Sequence, residues 1–252
     1  MTPPPHQLNA LILAAGRGQR MRPLTNHLPK PLLPVRGKPM IEWHLLALAA
    51  AGVRQVVINT AWLEDQFPAA LGDGSRWGLT IHYSMEGRDH GGALETAGGI
   101  AKALPLLGEA FWLVSGDIVA RGFAFDAAEA QRFAASSDEG LLWLVPNPDF
   151  KPAGDFALAG DRVRRPPEGA DRPLTYANLA LLRRALVASV VPGTVAALGP
   201  LLFASAAAGR LGGRLWQGDW HNLGTPGQLA SLQSASGWSA CPGALTGPES
   251  AA

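Results

Sequence analysis

Between Leu11 and Pro34 the chain reads LILAAGRGQRMRPLTNHLPKPLLP, and this stretch limits the possible folds more than any other. The apolar run from Leu8 to Leu13 suits a strand buried in a parallel sheet, and it breaks at Ala14-Ala15-Gly16. Gly16 and Gly18 allow the backbone to approach a ligand closely and to turn its N–H groups inward. Arg17, Arg20, Arg22 and Lys30 crowd cations into the same loop, so its chemistry suits phosphate.

Two common phosphate loops are excluded by spacing. The dinucleotide pattern G-x-G-x-x-G needs glycine where Met21 stands, and no acidic residue follows at the end of a clear second strand. The Walker pattern G-x-x-x-x-G-K-[ST] is absent. What remains is G-x-G-x-R-M-x-P-L-T, followed by Pro29-Lys30-Pro31-Leu32-Leu33-Pro34. This pairing resembles the signature of the sugar-phosphate nucleotidyltransferases. The resemblance runs from Leu8 to Ser236 and is greatest to the bacterial N-acetylmuramate alpha-1-phosphate uridylyltransferases of cell-wall recycling, which Ala61-Trp62-Leu63 also matches. It implies an α/β fold of the Rossmann-like, glycosyltransferase-A-like type, a mostly parallel mixed sheet flanked by helices. It also implies a nucleoside triphosphate and a sugar 1-phosphate as substrates, with Mg²⁺ as cofactor.

Patterning along the chain agrees with that architecture. Pro39 opens a helix whose apolar positions Ile41, Leu45, Leu48 and Ala49 share one face, and Gly52 closes it. A strand at Gln55–Asn59, a helix near Leu63–Leu71, a turn at Asp73-Gly74 and a strand at Thr80–Ser84 follow. This alternation predicts a parallel sheet with ligand at the carboxyl ends of its strands, so Asn59, Ser84 and the first loop should share one rim. A strand at Phe111–Ser115, a helix from Asp126 to Ala135 and a strand at Leu141–Val145 come next. A hairpin pairing Phe156–Leu158 with Val163–Arg164 and a strand at Leu174–Leu182 complete the sheet.

Within this frame the candidate site residues fall into groups. Arg20 and Lys30 are the catalytic cations, Lys30 being held between Pro29 and Pro31. Arg17, Arg22 and Arg36 read as solvated loop charges. Ala14, Ala15, Gly16 and Gly18 would cradle the nucleotide. The run Ser84–Gly99, with its five glycines, reads as an open loop that leads into a helix at Glu95-Thr96, whose N-terminus favours anions. By the resemblance this loop reads nucleobase and ribose, with Glu86 and Gly98 on the nucleotide. Asn59, Glu95, Asp155 and Asn178 are assigned to the sugar side, Asn178 standing where the family's strand has glycine. Asp117, after Gly116 at the end of a buried strand, is the expected Mg²⁺ ligand. Asn222 stands where many relatives have a second acidic ligand, and Asp219 is the residue that would compensate. Thr225 and Pro226 cap a helix carrying Leu229 and Leu232.

The 252 residues allow a full core, and 21 basic against 20 acidic residues leave no charge excess for nucleic acid or a membrane surface. The single cysteine, Cys241, fits a reducing compartment. The uncharged, proline-rich start lacks the pattern of a signal peptide, and the expected location is the cytoplasm. The expected layout is a disordered segment 1–7, a nucleotidyltransferase domain 8–236 and a flexible tail 237–252. Two other readings stand beside the first. One is a nucleotidyltransferase for another hexose 1-phosphate, of the mannose 1-phosphate guanylyltransferase or glucose 1-phosphate thymidylyltransferase type; the other is a non-catalytic regulatory module, for which Asn222 speaks.

Overall fold

The computed structural model describes residues 8–166 and 173–235; the segments 1–7 and 237–252, with Trp238 and Cys241, lie outside the described residues. From the N-terminus, β1 (Asn9–Leu13) leads through the signature loop to a short hairpin, β2 (Pro34–Val35) and β3 (Lys38–Pro39), and then to α1 (Met40–Ala50). The alternation continues with β4 (Gln55–Thr60), α2 (Gln66–Leu71), β5 (Thr80–Met85), α3 (Glu86–His90) and α4 (Glu95–Ala103). Next come β6 (Ala110–Ser115), β7 (Ile118–Arg121), α5 (Ala127–Ala135) and β8 (Gly140–Pro146). The last part holds β9 (Ala157–Ala159), β10 (Arg162–Arg164), β11 (Leu174–Arg183), α6 (Leu198–Ala207), β12 (Leu211–Leu215), β13 (Asp219–Asn222) and α7 (Pro226–Ser234).

Among the described residues nine strands make one sheet, ordered β5-β4-β1-β6-β11-β8-β12-β10-β9. β5, β4, β1 and β6 are parallel, β11 runs against both β6 and β8, and β12 is parallel to β8. The central strands are apolar without interruption because each buries both faces. Ala10 and Ile12 of β1 pack with Ile41, Leu45 and Leu48 of α1, whereas Leu11 packs with Ala97 and Ile100 of α4 and Leu202 of α6. β6 divides in the same way, Trp112 and Val114 to one side and Phe111 and Leu113 to the other. A third cluster anchors the signature loop. Met21, the residue that breaks the dinucleotide pattern, is completely buried with Leu33, Val35, Met40, Val119, Leu223, Leu229 and Leu232.

Two expectations are corrected. The helix expected from Leu63 begins at Gln66, because Leu63 takes a left-handed φ of 50° and its carbonyl closes a turn onto Gln66 N–H. The run 84–99 is less open than its glycines suggest: Glu86–His90 coils into α3, which ends at Gly91 with a left-handed φ of 78°.

Candidate active site at the carboxyl edge of the sheet

The ends of four parallel strands meet on one rim. Leu13 of β1 pairs with Asn59 of β4 and Ser115 of β6, and Asn59 pairs with Ser84 of β5. Asn178 joins them from β11: it lies within the bulge between Tyr176 and Ala180 and precedes Leu179, which pairs with Val114. Its φ of 59° lies in the left-handed region, which asparagine tolerates better than most residues. The bulge's exposed backbone groups are met by side chains. Asp155 Oδ2 accepts from Tyr176 N–H at 2.9 Å, and Trp220 Nε1–H donates to Ala177 O at 2.9 Å. Asp155 also pairs with Lys151 at 2.6 Å, so the carboxylate expected on the sugar is engaged in holding β11.

The signature loop is shaped by close packing. Gly18 has φ 59°, and a Cβ there would lie 2.9 Å from Thr25 Cγ2 and 3.1 Å from Lys30 Cβ. Thr25 Oγ1 donates to Gly18 O at 2.8 Å, and Trp62 Nε1–H donates to Thr25 O at 3.0 Å. Trp62 in turn carries the Arg17 guanidinium 5.4 Å from its ring centroid, while Arg17 stays exposed, as expected of a loop charge. No acceptor among the described residues takes the N–H groups of Gly16, Arg17 or Gly18, and Gly16 has open space beyond its Cα.

Lys30 and Asp117 meet at the floor. Lys30 is 7% exposed, and its Nζ donates to Asp117 Oδ2 at 2.8 Å. Gly116 makes this placement possible, since a Cβ there would lie 2.9 Å from Leu13 O and 3.3 Å from Pro31. Asn222 pairs with Ile118 across β13 and β7, and Leu223 N–H donates to Asp117 O at 3.1 Å. Arg20 reaches the same corner: its guanidinium lies against Gly224, where a Cβ would stand 3.3 Å away. Sequence reading placed Gly116 before Asp117 and Thr25 in the motif, but it did not show the hydrogen bond of Thr25 to Gly18 or the close approaches at Gly99 and Gly224.

The residues fit a divalent cation held largely by substrate oxygens. Among the described residues no group of three His, Cys, Asp or Glu is placed to hold a metal. Asp117 nevertheless supplies a carboxylate at the rim, and Asn222 Oδ1 is buried without a hydrogen-bond partner, which is what an additional oxygen ligand would look like before binding. Asp219, the alternative ligand, is paired with Arg121 at 3.1 Å and His221 at 2.6 Å.

Three other expected ligand contacts are used internally. Ala97 and Gly98 N–H both donate to Ala196 O, at 2.8 and 3.1 Å, and Gly98 packs on Thr194 O; the third and fourth amides of α4 are therefore spent on the protein, not on an anion. Asn59 and Glu86 are buried, and each oxygen or nitrogen they offer meets a protein group. Burial raises the Glu86 carboxyl above the ordinary carboxylate range, against the lowering effect of its hydrogen bonds from Leu94 and Asn59. Glu95, by contrast, is exposed at the start of α4 with φ 61°.

Residues 9–154 match the sequence profile of the nucleotidyl transferase family. The chain belongs to this family. Among its nucleotidyl transferase relatives is the N-acetylmuramate alpha-1-phosphate uridylyltransferase of Neisseria meningitidis, 44% identical over 91% of this chain and 99% of the relative. The protein of the same name from Caulobacter vibrioides is 34% identical over 86% of this chain and 92% of its own. A solved structure from Bacillus anthracis, described as a glucose-1-phosphate thymidylyltransferase in complex with sucrose, superposes with a TM-score of 0.76 over 90% of this chain and 94% of that one. At 19% identity this last likeness shows the fold.

Proposed function

We propose that this protein transfers a uridylyl group from UTP to N-acetylmuramate alpha-1-phosphate, giving the UDP-sugar and pyrophosphate. The observation that carries the reading is the 44% identity, over nearly the full length of both chains, to the Neisseria protein of that name. An oxygen of the sugar 1-phosphate attacks the α-phosphorus of UTP, a P–O bond forms, and the bond to the bridging β-phosphate oxygen breaks as pyrophosphate leaves. The monoester needs no general base, because its second pKa of about 6 leaves it mostly dianionic at neutral pH.

Repulsion between two polyanions is the obstacle, and the rim answers it with alignment and fixed positive charge. The Gly16 to Gly18 amides, which have no acceptor among the described residues, and Arg20 are assigned to the triphosphate, and Lys30, paired with Asp117, to the reacting phosphates. Mg²⁺, held by Asp117 and Asn222 with the triphosphate, would neutralise part of the charge there. Glu95 and Asn178 are the residues assigned to the sugar. The compartment that fits is the cytoplasm, and the role is cell-wall recycling; no helix among the described residues is long and apolar enough to cross a membrane.

The test is pyrophosphate release with Mg²⁺ across UTP, ATP, GTP, CTP and dTTP, each paired with N-acetylmuramate, glucose or mannose 1-phosphate. Release with UTP and N-acetylmuramate 1-phosphate alone is expected. Release with a different pair replaces the substrate, and nucleotide binding without release under every pairing would favour the regulatory module.

A further inference from the structure

A single chain of hydrogen bonds joins the phosphate loop to the segment that precedes α4. Ala14 N–H donates to Asn59 Oδ1 at 2.8 Å, Asn59 Nδ2 donates to Glu86 Oε1 at 2.7 Å, and Leu94 N–H donates to Glu86 Oε2 at 2.7 Å. Ala14 opens the phosphate loop, and Leu94 precedes the left-handed Glu95. Glu86 is 0% and Asn59 2% exposed, so neither side chain faces a substrate. Gly99 seals the chain from the side: a Cβ there would lie 2.5 Å from Glu86 Oε1 and 2.6 Å from Asn59 Nδ2.

The ends dictate the middle. Both terminal groups are backbone N–H donors, which can only donate. Two amide side chains placed between them leave a donor facing a donor somewhere, whichever way each amide is flipped. One amide and one carboxylate match every donor to an acceptor. We infer that Asn59 and Glu86 are positioning residues that lock the phosphate loop to the nucleobase-side segment, so that the nucleotide meets one preorganised unit. The inference rests on the nucleotidyl-transfer reading of this site and deepens it.

The amide and the acid can exchange places, and this separates the relay from a generic role in stability. In Glu86→Gln a donor meets a donor inside the protein. In Asn59→Asp two carboxylates face each other, and the clash is relieved when acid supplies a shared proton. In the Asn59→Asp/Glu86→Gln double variant, the carboxylate introduced at position 59 accepts from Ala14 N–H and from the side-chain amide introduced at position 86. The oxygen of that amide in turn accepts from Leu94 N–H. The charged groups around Glu86, namely Lys102 on α4, His90 on α3 and Glu64 on the Gly87 amide, are the same in every variant.

The experiment measures UTP affinity by calorimetry and amide hydrogen exchange at Ala14 and Leu94 in the free protein, for wild type, both single variants and the double variant. At neutral pH each single variant should lose on the order of tenfold or more in affinity, with faster exchange at both amides, and the double variant should recover to within about threefold. Asn59→Asp alone should regain affinity as the pH is lowered toward about 5, while Glu86→Gln should not. Single variants that bind and exchange like wild type overturn the relay, as does a double variant no better than the worse single. If the single variants fail to fold, a folded double variant supports the relay and an unfolded one overturns it. Wild type that binds no UTP refutes the nucleotidyl-transfer reading instead, and amide exchange then decides the relay without it.

Discussion

Arg20 shows how a loop residue acquires a defined role. Its motif position marked it, but its seat is Gly224, more than two hundred positions away, whose missing side chain lets the guanidinium lie against the backbone. That seat is tied to Asp117 and Asn222, since Gly224 N–H donates to Asn222 O and Leu223 N–H to Asp117 O, each at 3.1 Å. In the proposed reaction this is where negative charge builds up as pyrophosphate leaves. Losing one preorganised donor of this kind lowers turnover by about 10²–10³. Arg20→Ala should therefore fall in that range in the pyrophosphate-release assay with the fold unchanged by circular dichroism, and turnover within about tenfold of wild type would remove Arg20 from the mechanism. The positions of Asp117, Lys30 and Asn178 at the strand ends and in the first loop were legible because proline, glycine or a strand end restricts the backbone beside each. Asn59 and Glu86 were not, because a polar residue at a strand end looks the same whether it turns to ligand or inward to a partner.

At the scale of elements, capping was the most readable signal. Thr225, Pro226 and Gln228 form a complete capping box at α7: Thr225 Oγ1 accepts from Gln228 N–H at 3.3 Å, and Gln228 Oε1 accepts from Thr225 N–H at 3.0 Å. Gln228 Oε1 also takes Gly224 N–H at 2.7 Å, so the cap steadies the very residue against which Arg20 lies. Thr225→Ala should cost about 1 kcal/mol in urea denaturation and also raise the KM for nucleotide, because the cap and the arginine seat are contiguous. The hairpin of β9 and β10 appears where the turn residues Gly160-Asp161 placed it. α6 escaped periodicity arguments, since LGPLLFASAA is apolar on most of its surface. α3 escaped because five residues of helix in a glycine-rich run are stabilised by what they touch, here Glu64 on Gly87 N–H and Glu86 on Leu94 N–H, not by propensity.

For the whole molecule, the sheet's two covered faces bury groups whose ionisation then governs stability. His44 lies in the core behind the rim with Nε2 against Ile118 O at 2.9 Å, and burial pushes its pKa down from 6.5 to about 4. The unfolded chain binds a proton near 6.5 that the native state refuses, so this contribution is complete above that pH and is lost as the pH falls toward 4, on the order of 3 kcal/mol in all. Glu86 acts with the opposite sign: its raised pKa favours the native state at low pH and weakens it as the pH rises through the raised value. Denaturation curves between about pH 7.5 and 4 should thus steepen in loss below about 6.5, and His44→Gln should flatten that segment. By itself the sequence determined the mostly parallel α/β sheet, the rim and the glycine-rich first loop, because unbroken apolar runs, glycines and prolines constrain the backbone locally. Only the tertiary structure decided which polar groups are already taken by the protein. Asn59, Glu86, Asp155 and the Ala97 and Gly98 amides found internal partners contributed by other strands and loops, and a buried polar group's choice of partner is made by whatever the fold brings within hydrogen-bond distance.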